Sequence, residues 1–164
     1  MKRRTLFAAG AGAAATTLAT PAISQGRMQW RMVTSWPRGF PGLGVGAERI
    51  ARRIGEMSGG RFTVQVFAAG QLVPPLGVFD AVTQGGAEMM HTAAYYWQNR
   101  NRGLNFFTGV PMGMTSKELR AWIRNMGGQE IWDEIYAQFN LKGFMAADTG
   151  VQGAGWFRRE INTV

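Results

Sequence analysis

Apolar and polar residues alternate over Met28-Gln29-Trp30-Arg31-Met32-Val33-Thr34, the period of a half-buried β-strand. A loop broken by Pro37 and Pro41 follows. The period then lengthens: Ala47, Ile50, Ala51, Ile54 and Met57 recur at helical spacing, with Glu48, Arg49, Arg52, Arg53 and Glu56 on the opposite face. Ser58-Gly59-Gly60 stops that helix, and alternation resumes around Phe62, Val64 and Val66. The succession is a β-α-β unit, which predicts parallel pairing.

The pattern past the turn Gly70–Pro75 predicts a short helix over Leu76–Gln84, with Val78, Phe79 and Val82 inward and Gly85-Gly86 at its end. It then predicts a third strand over Glu88–Ala94. Asn99–Gly103 reads as a polar loop, and the apolar run Leu104–Pro111 carries the chain back to the core. Thr115 and Glu118 have capping-box spacing ahead of a helix with Leu119, Trp122, Ile123 and Met126 on one face. Gly127-Gly128 interrupts it, and Ile131, Trp132, Ile135, Tyr136 and Phe139 mark another. Leu141–Ala147 reads as a strand that feeds the stretch Asp148–Ile161.

Composition supports a folded domain: 164 residues, 46% hydrophobic and 17% charged. The segment ahead of the first strand reads as an export signal over residues 1–24. Basic Lys2-Arg3-Arg4 precedes the small apolar run Ala8–Ala19, and Ala22 and Ser24 have the spacing a signal peptidase accepts. Arg3-Arg4 with Thr5-Leu6-Phe7 resembles a twin-arginine signal, and an ordinary secretory signal is the alternative. Both imply the periplasm. The net charge of +8 includes those three signal residues; without them 15 basic residues face 10 acidic ones, or +5. The basic residues are dispersed, which speaks against a nucleic-acid partner.

The candidate chemistry concerns binding. With no cysteine, thiolate metal sites and cysteine nucleophiles are excluded. His91 is the only histidine and no cysteine exists to partner it, so a hydrogen-bonded strand histidine is favoured over a metal ligand or a general base. Gly42-Leu43-Gly44-Val45-Gly46 suggests a dinucleotide fingerprint. However, a Pro-containing loop separates it from the strand, and no acidic residue lies between Glu56 and Asp80; a flexible helix entry is favoured. Tyr95 and Tyr96 follow the third strand at its C-terminal end, where ligands collect in open α/β sheets; pocket wall and core packing are equally supported. Asp148–Ile161 combines glycines, Gln152, Trp156, Phe157 and the basic pair Arg158-Arg159, a composition suited to one wall of a small polar-ligand site.

Several segments, in order, resemble a single family. They are Trp30–Pro37, Ser58-Gly59-Gly60-Arg61, Ala69–Val73, Phe79–Val82 with Gly85, Tyr95-Tyr96, Phe106-Phe107 with Pro111, and Gln152 with Gly155-Trp156-Phe157-Arg158. The family is the substrate-binding subunit of tripartite ATP-independent periplasmic (TRAP) transporters, in its 2-oxo-acid branch. The resemblance implies an α/β fold, the first lobe of a two-lobe periplasmic-binding-protein fold with a mixed sheet flanked by helices. Residues 25–148 would form lobe one, and 149–164 the crossover into a truncated lobe two. It implies no catalysis and no covalently bound cofactor. The ligand would be a small organic anion, such as pyruvate, held with a monovalent cation such as sodium. The partners would be the transporter's membrane subunits, and some relatives dimerise in their full-length form. Gln152 falls where the branch places a side-chain oxygen on cation and ligand. Tyr95, Tyr96 and Trp36 fall in loops lining the cleft. Arg158 is a structural or outer contact, because the family's main carboxylate-binding arginine lies past Val164. Ala154 departs from a common glycine, which leaves the solute open. An exported enzyme and an ATP-driven importer's binding protein are the alternatives; a chain ending at Val164 would have one cleft wall and weak or no binding.

Overall fold

The computed structural model describes residues 26–150 and 155–162. The export-signal segment and Gln152 lie outside the described residues. The elements run β1 (Met28–Thr34), α1 (Leu43–Met57), β2 (Phe62–Phe67), α2 (Val78–Thr83) and β3 (Met89–His91). Two 3-10 helices follow (Ala94–Trp97 and Arg102–Phe107), then α3 (Ser116–Asn125) and α4 (Gly128–Ala137). Among the described residues, no helix is long and apolar enough to cross a membrane.

The sheet has the order β2-β1-β3. β1 pairs in parallel with both neighbours, Met28 opposite Phe62 and Met32 opposite Met89. The β-α-β reading is borne out, and all three described strands run the same way; an antiparallel member of a mixed sheet is not among them. Met32 and Val33 are each 1% exposed. Successive strand side chains face opposite sides, so both faces of β1 are covered. On the Val33 side lies the main core, where Val33, Val78, Phe79, Leu104, Ile123 and Trp132 belong to one cluster. Its aromatic rings interlock: Phe107 stacks on Trp132 at 4.9 Å and on Trp122 at 5.5 Å, and Phe79 meets Phe139 edge-on at 5.2 Å.

Local chemistry sets the element ends. The Thr115 hydroxyl accepts from Glu118 N, and the Glu118 carboxylate accepts from Thr115 N, so the expected capping box starts α3. Gly127 enters α4 at φ 85°, a left-handed conformation that glycine adopts without steric cost. Some expectations shift. α2 begins at Val78 and Leu76 stays exposed. Met57, the last residue of the apolar α1 stripe, is also exposed. Gly42 has φ 73° at the entry to α1, as a helix-entry glycine should, whereas Gly44 lies inside the helix. A Cβ on Gly44 would lie 2.6 Å from the Pro37 carbonyl oxygen, so that glycine permits close packing of helix on loop.

The strand expected over Leu141–Ala147 is not formed: residues 141–150 carry no assigned strand. A strand needs a neighbour, and this segment is held by helices instead. Leu141 N donates to Tyr136 O at 3.0 Å, and Gln129 Nε2 donates to Gly143 O at 2.9 Å. Lys142 pairs with Asp133 on α4, and Arg120 on α3 pairs with Asp148 at 3.0 Å. Gly143 is buried against Trp132, where a Cβ would come within 2.5 Å of the indole.

Candidate functional site

With β1 central, the chain leaves it toward β2 on one side and reaches β3 on the other. The carboxyl ends of β1 and β3 therefore flank a topological switch point, the place where open α/β sheets bind ligands. The residues there are Thr34, Ser35 and Trp36 from β1, and His91 and Thr92 from β3. Ser35 N donates to His91 O at 3.2 Å, one step past the end of β1. The Ser35 hydroxyl donates to Pro75 O at 2.8 Å. It has one proton, so across its 2.7 Å contact with Thr92 it accepts, and Thr92 is the donor. This relay ties the loop after β1, the loop after β3 and the turn before α2 into one unit.

Trp36 is 8% exposed and lies behind this surface. Its N–H donates to Thr34 Oγ1 at 2.9 Å, and its carbonyl accepts from Ala69 N at 2.9 Å. Its ring meets His91 edge-on at 5.0 Å. His91 is 7% exposed, and burial lowers its pKa, which keeps the imidazole neutral at pH 7. The hydrogen-bonded histidine expected from the sequence is not seen at Nδ1, which has no partner among the described residues. No metal-binding group of His, Cys, Asp and Glu side chains occurs among the described residues.

Three residues past His91, the 3-10 helix Ala94–Trp97 presents Tyr95 and Tyr96, with ring centroids 4.6 Å apart. Tyr96 is exposed and Tyr95 half-buried. Burial, then the neighbouring Tyr96 hydroxyl, push the Tyr95 pKa up to about 12, so Tyr95 stays a neutral hydroxyl at any physiological pH. Tyr95 N donates to Thr108 Oγ1 at 3.2 Å, which binds this helix to the end of the next.

Tyr95 also lines an open groove of about 680 Å³ with Gln98, Arg102, Asn105, Phe106 and the segment Gly109–Pro111. Asn105 donates to Gln98 at 3.4 Å. Arg102 makes no ion pair among the described residues, and Phe106 is 58% exposed. The lining thus sets a cation, two amides and a tyrosine beside exposed apolar side chains. Trp36 borders a separate recess of about 10 Å³, room for one water at most. The structure brings the Tyr95 and Tyr96 rings together, with Tyr95 alone of the two lining the groove, and buries Trp36 near the strand ends. Arg158 is exposed, without an ion pair among the described residues.

Sequence reasoning missed Gln98, Arg102 and Asn105: Arg102 falls in the polar loop Asn99–Gly103, Asn105 in the apolar run Leu104–Pro111, and Gln98 just ahead of both. Their one signal was proximity to Tyr95-Tyr96. Hydroxyls, amides and a guanidinium suit recognition of a small anion.

Residues 32–164 match the family of bacterial extracellular solute-binding proteins, family 7 (DctP). The chain belongs to that family. Family 7 proteins are solute binders and not enzymes, and the TRAP resemblance is borne out. The whole chain is 42% identical to the monocarboxylate 2-oxoacid-binding periplasmic protein of Nostoc sp., covering 47% of that protein. Among solved structures it is similar to a TRAP periplasmic solute-binding protein of Pseudoalteromonas atlantica with bound sodium and pyruvate. That similarity has 41% identity and a TM-score of 0.80 over 84% of this chain and 42% of the other. A Colwellia psychrerythraea protein with bound calcium and pyruvate gives 36% identity and the same TM-score and coverage. The chain spans less than half the length of these relatives.

Proposed function

We propose that the full-length protein is a periplasmic solute-binding protein of a TRAP transporter that captures a small 2-oxo acid, such as pyruvate, together with a cation. The observation that carries this reading is the fold shared at 41% and 36% identity with two structures that each hold pyruvate and a metal ion. Residues 25–148 make lobe one and 149–164 begin the crossover. A twin-arginine signal over residues 1–24 exports the protein, and it delivers its solute to the transporter's membrane subunits.

Lobe one supplies neutral donors. The Tyr95 and Tyr96 hydroxyls face the solute, and the Ser35–Thr92 relay holds their loop. Trp36 supports that surface through His91. Gln152 provides an amide oxygen to a monovalent cation, sodium, and its N–H₂ to the solute; Arg158 acts as an outer contact. Nothing in this set can cleave or transfer a group, since no nucleophile is paired with a base; the full-length protein would bind and release.

Calorimetry of the full-length protein with pyruvate, with and without sodium, tests the reading. Saturable binding that requires the cation is expected. Gln152→Ala should weaken it more than Arg159→Ala, and residues 1–164 alone should bind weakly or not at all. Absence of binding to any 2-oxo acid would overturn the proposal.

A further inference from the structure

Past α4 the chain runs without a strand partner, and side chains from α3 and α4 hold it. Gln129 on α4 donates to the Gly143 carbonyl, Asp133 on α4 pairs with Lys142, and Arg120 on α3 pairs with Asp148. The helices that supply these ties are rooted in the core. Leu119 and Ile123, on either side of Arg120 in sequence, are buried in the main cluster, as are Trp132 and Tyr136 on α4. Residues 141–148 are therefore anchored to the same packed body as the sheet.

The last of these anchors also acts on the chain ahead of it. Both Asp133 oxygens engage side chains, from Gln129 and Lys142. The Asp148 carboxylate instead divides between helix and backbone: Oδ2 accepts from Arg120 Nη2 at 3.0 Å, and Oδ1 accepts from Gly150 N at 3.1 Å. The second bond closes an Asx turn, in which the side chain sets the course of the backbone two residues on. Gly150 stands there at φ 70°, and a Cβ on it would meet nothing within 4 Å. Glycine serves that position through its backbone freedom, since space for a side chain is open.

Stability does not account for the ion pair. The Arg120 and Asp148 side chains are 47% and 41% exposed, and pairs so exposed add little to folding. Direction does account for it. Gln152 follows Asp148 by four residues, at most ~14 Å of extended chain. Over so short a reach, the angle at which the backbone leaves Asp148 governs where the following residues arrive.

We infer that Asp148 is a positioning residue: clamped to α3 by Arg120, it aims the turn at Gly150 so that the crossover leaves lobe one in the direction that closes the two lobes on the solute. This rests on the two-lobe, 2-oxo-acid reading above. Hinges absorb their dihedral change in a few residues, and Gly150 supplies that freedom just past the clamp. The clamp keeps the ligand-free protein poised to close, and a protein poised only part of the time binds more weakly in proportion.

Calorimetry of the full-length protein with pyruvate and sodium, together with melting of the ligand-free protein, provides the test. Arg120→Met and Asp148→Asn should each weaken pyruvate binding about tenfold, the loss expected when the poised fraction falls to about one tenth. Both should melt within about 2 °C of wild type, because the pair is exposed. Asparagine keeps an oxygen for Gly150 N, so Asp148→Ala, which loses the turn as well, should bind more weakly still. The double variant Arg120→Met/Asp148→Asn should be no weaker than the weaker single variant, since both changes remove one ion pair. An effect of Asp148→Asn without one of Arg120→Met would make Asp148 a direct ligand of solute or cation and overturn the inference. A loss of affinity matched by a lowered melting temperature would overturn it too, by reducing the pair to a structural contact. A wild-type protein that binds no 2-oxo acid would overturn the functional reading and this inference with it. Wild-type binding that is indifferent to residues 120 and 148 would overturn the inference alone.

Discussion

Alanine at Gly44 and alanine at Gly46 should change stability in opposite directions, although both glycines lie in α1, two residues apart. At Gly46 a Cβ would meet only the Ala147 Cβ, at 3.7 Å, an ordinary contact. Replacing glycine by alanine inside a helix is worth about 1 kcal/mol, so Gly46→Ala should stabilise by roughly that amount. At Gly44 the added carbon would sit 2.6 Å from the Pro37 carbonyl oxygen and 3.0 Å from the Phe40 Cβ. A comfortable carbon–oxygen approach is about 3.3 Å, so the loop would have to yield by roughly 0.7 Å. The obstacle is backbone, and it is engaged: the same oxygen accepts from Phe40 N at 3.2 Å. Overpacking of this kind costs about 1–3 kcal/mol, and the helix-propensity gain in the first turn does not cover it. The two variants should differ by about 2–3 kcal/mol, or roughly 5–10 °C in melting temperature for a domain of this size. Thermal unfolding followed by far-ultraviolet circular dichroism, with urea titration for the free energy, measures both. A Gly44→Ala protein as stable as wild type would refute the close-packing role and return that glycine to mere helix-entry flexibility.

Further outcomes follow from the same geometry. Thr115→Ala removes the acceptor that holds Glu118 N and should cost about 1 kcal/mol in urea denaturation. Arg31 lowers the Glu88 pKa to about 2 through hydrogen bonds and charge. Its contribution to stability is complete above the ordinary value of 4.5 and is lost as pH falls toward about 2; Glu88→Gln should flatten acid unfolding in that window. Burial lowers the His91 pKa, so the unfolded chain takes up a proton first as pH falls below 6.5. Stability should decline there, and His91→Phe should remove the slope. Gly143→Ala should cost about 1–3 kcal/mol, since its Cβ would collide with a ring already stacked on Phe107.

The framework of the fold was legible where one signal dominated. Alternation marked β1 and β2, the charged and apolar faces marked α1, and Thr115 with Glu118 marked the start of α3. Leu141–Ala147 misled because a short, largely apolar run does not by itself make a strand, which also requires a neighbour to pair with; among the described residues none stands beside it. The groove was the least legible part. Arg102 and Asn105 sit on a 3-10 helix, whose three-residue period is too short-lived to stand out from a loop. Tyr95 and Tyr96 stand out by topology alone: residues just past a parallel strand lie on the side of the sheet where ligands gather.

Gly143 lies against the face of Trp132 where any side chain would stand, and that fit has an evolutionary consequence. The two positions form one heritable unit. A residue larger than glycine at 143 becomes tolerable only when the ring at 132 has shrunk, and a smaller ring opens a cavity that a larger residue at 143 can then fill. Either change alone passes through a less stable intermediate. Across descendants of this chain the two positions should therefore change together or not at all, and their covariation should persist where the solute preference has diverged.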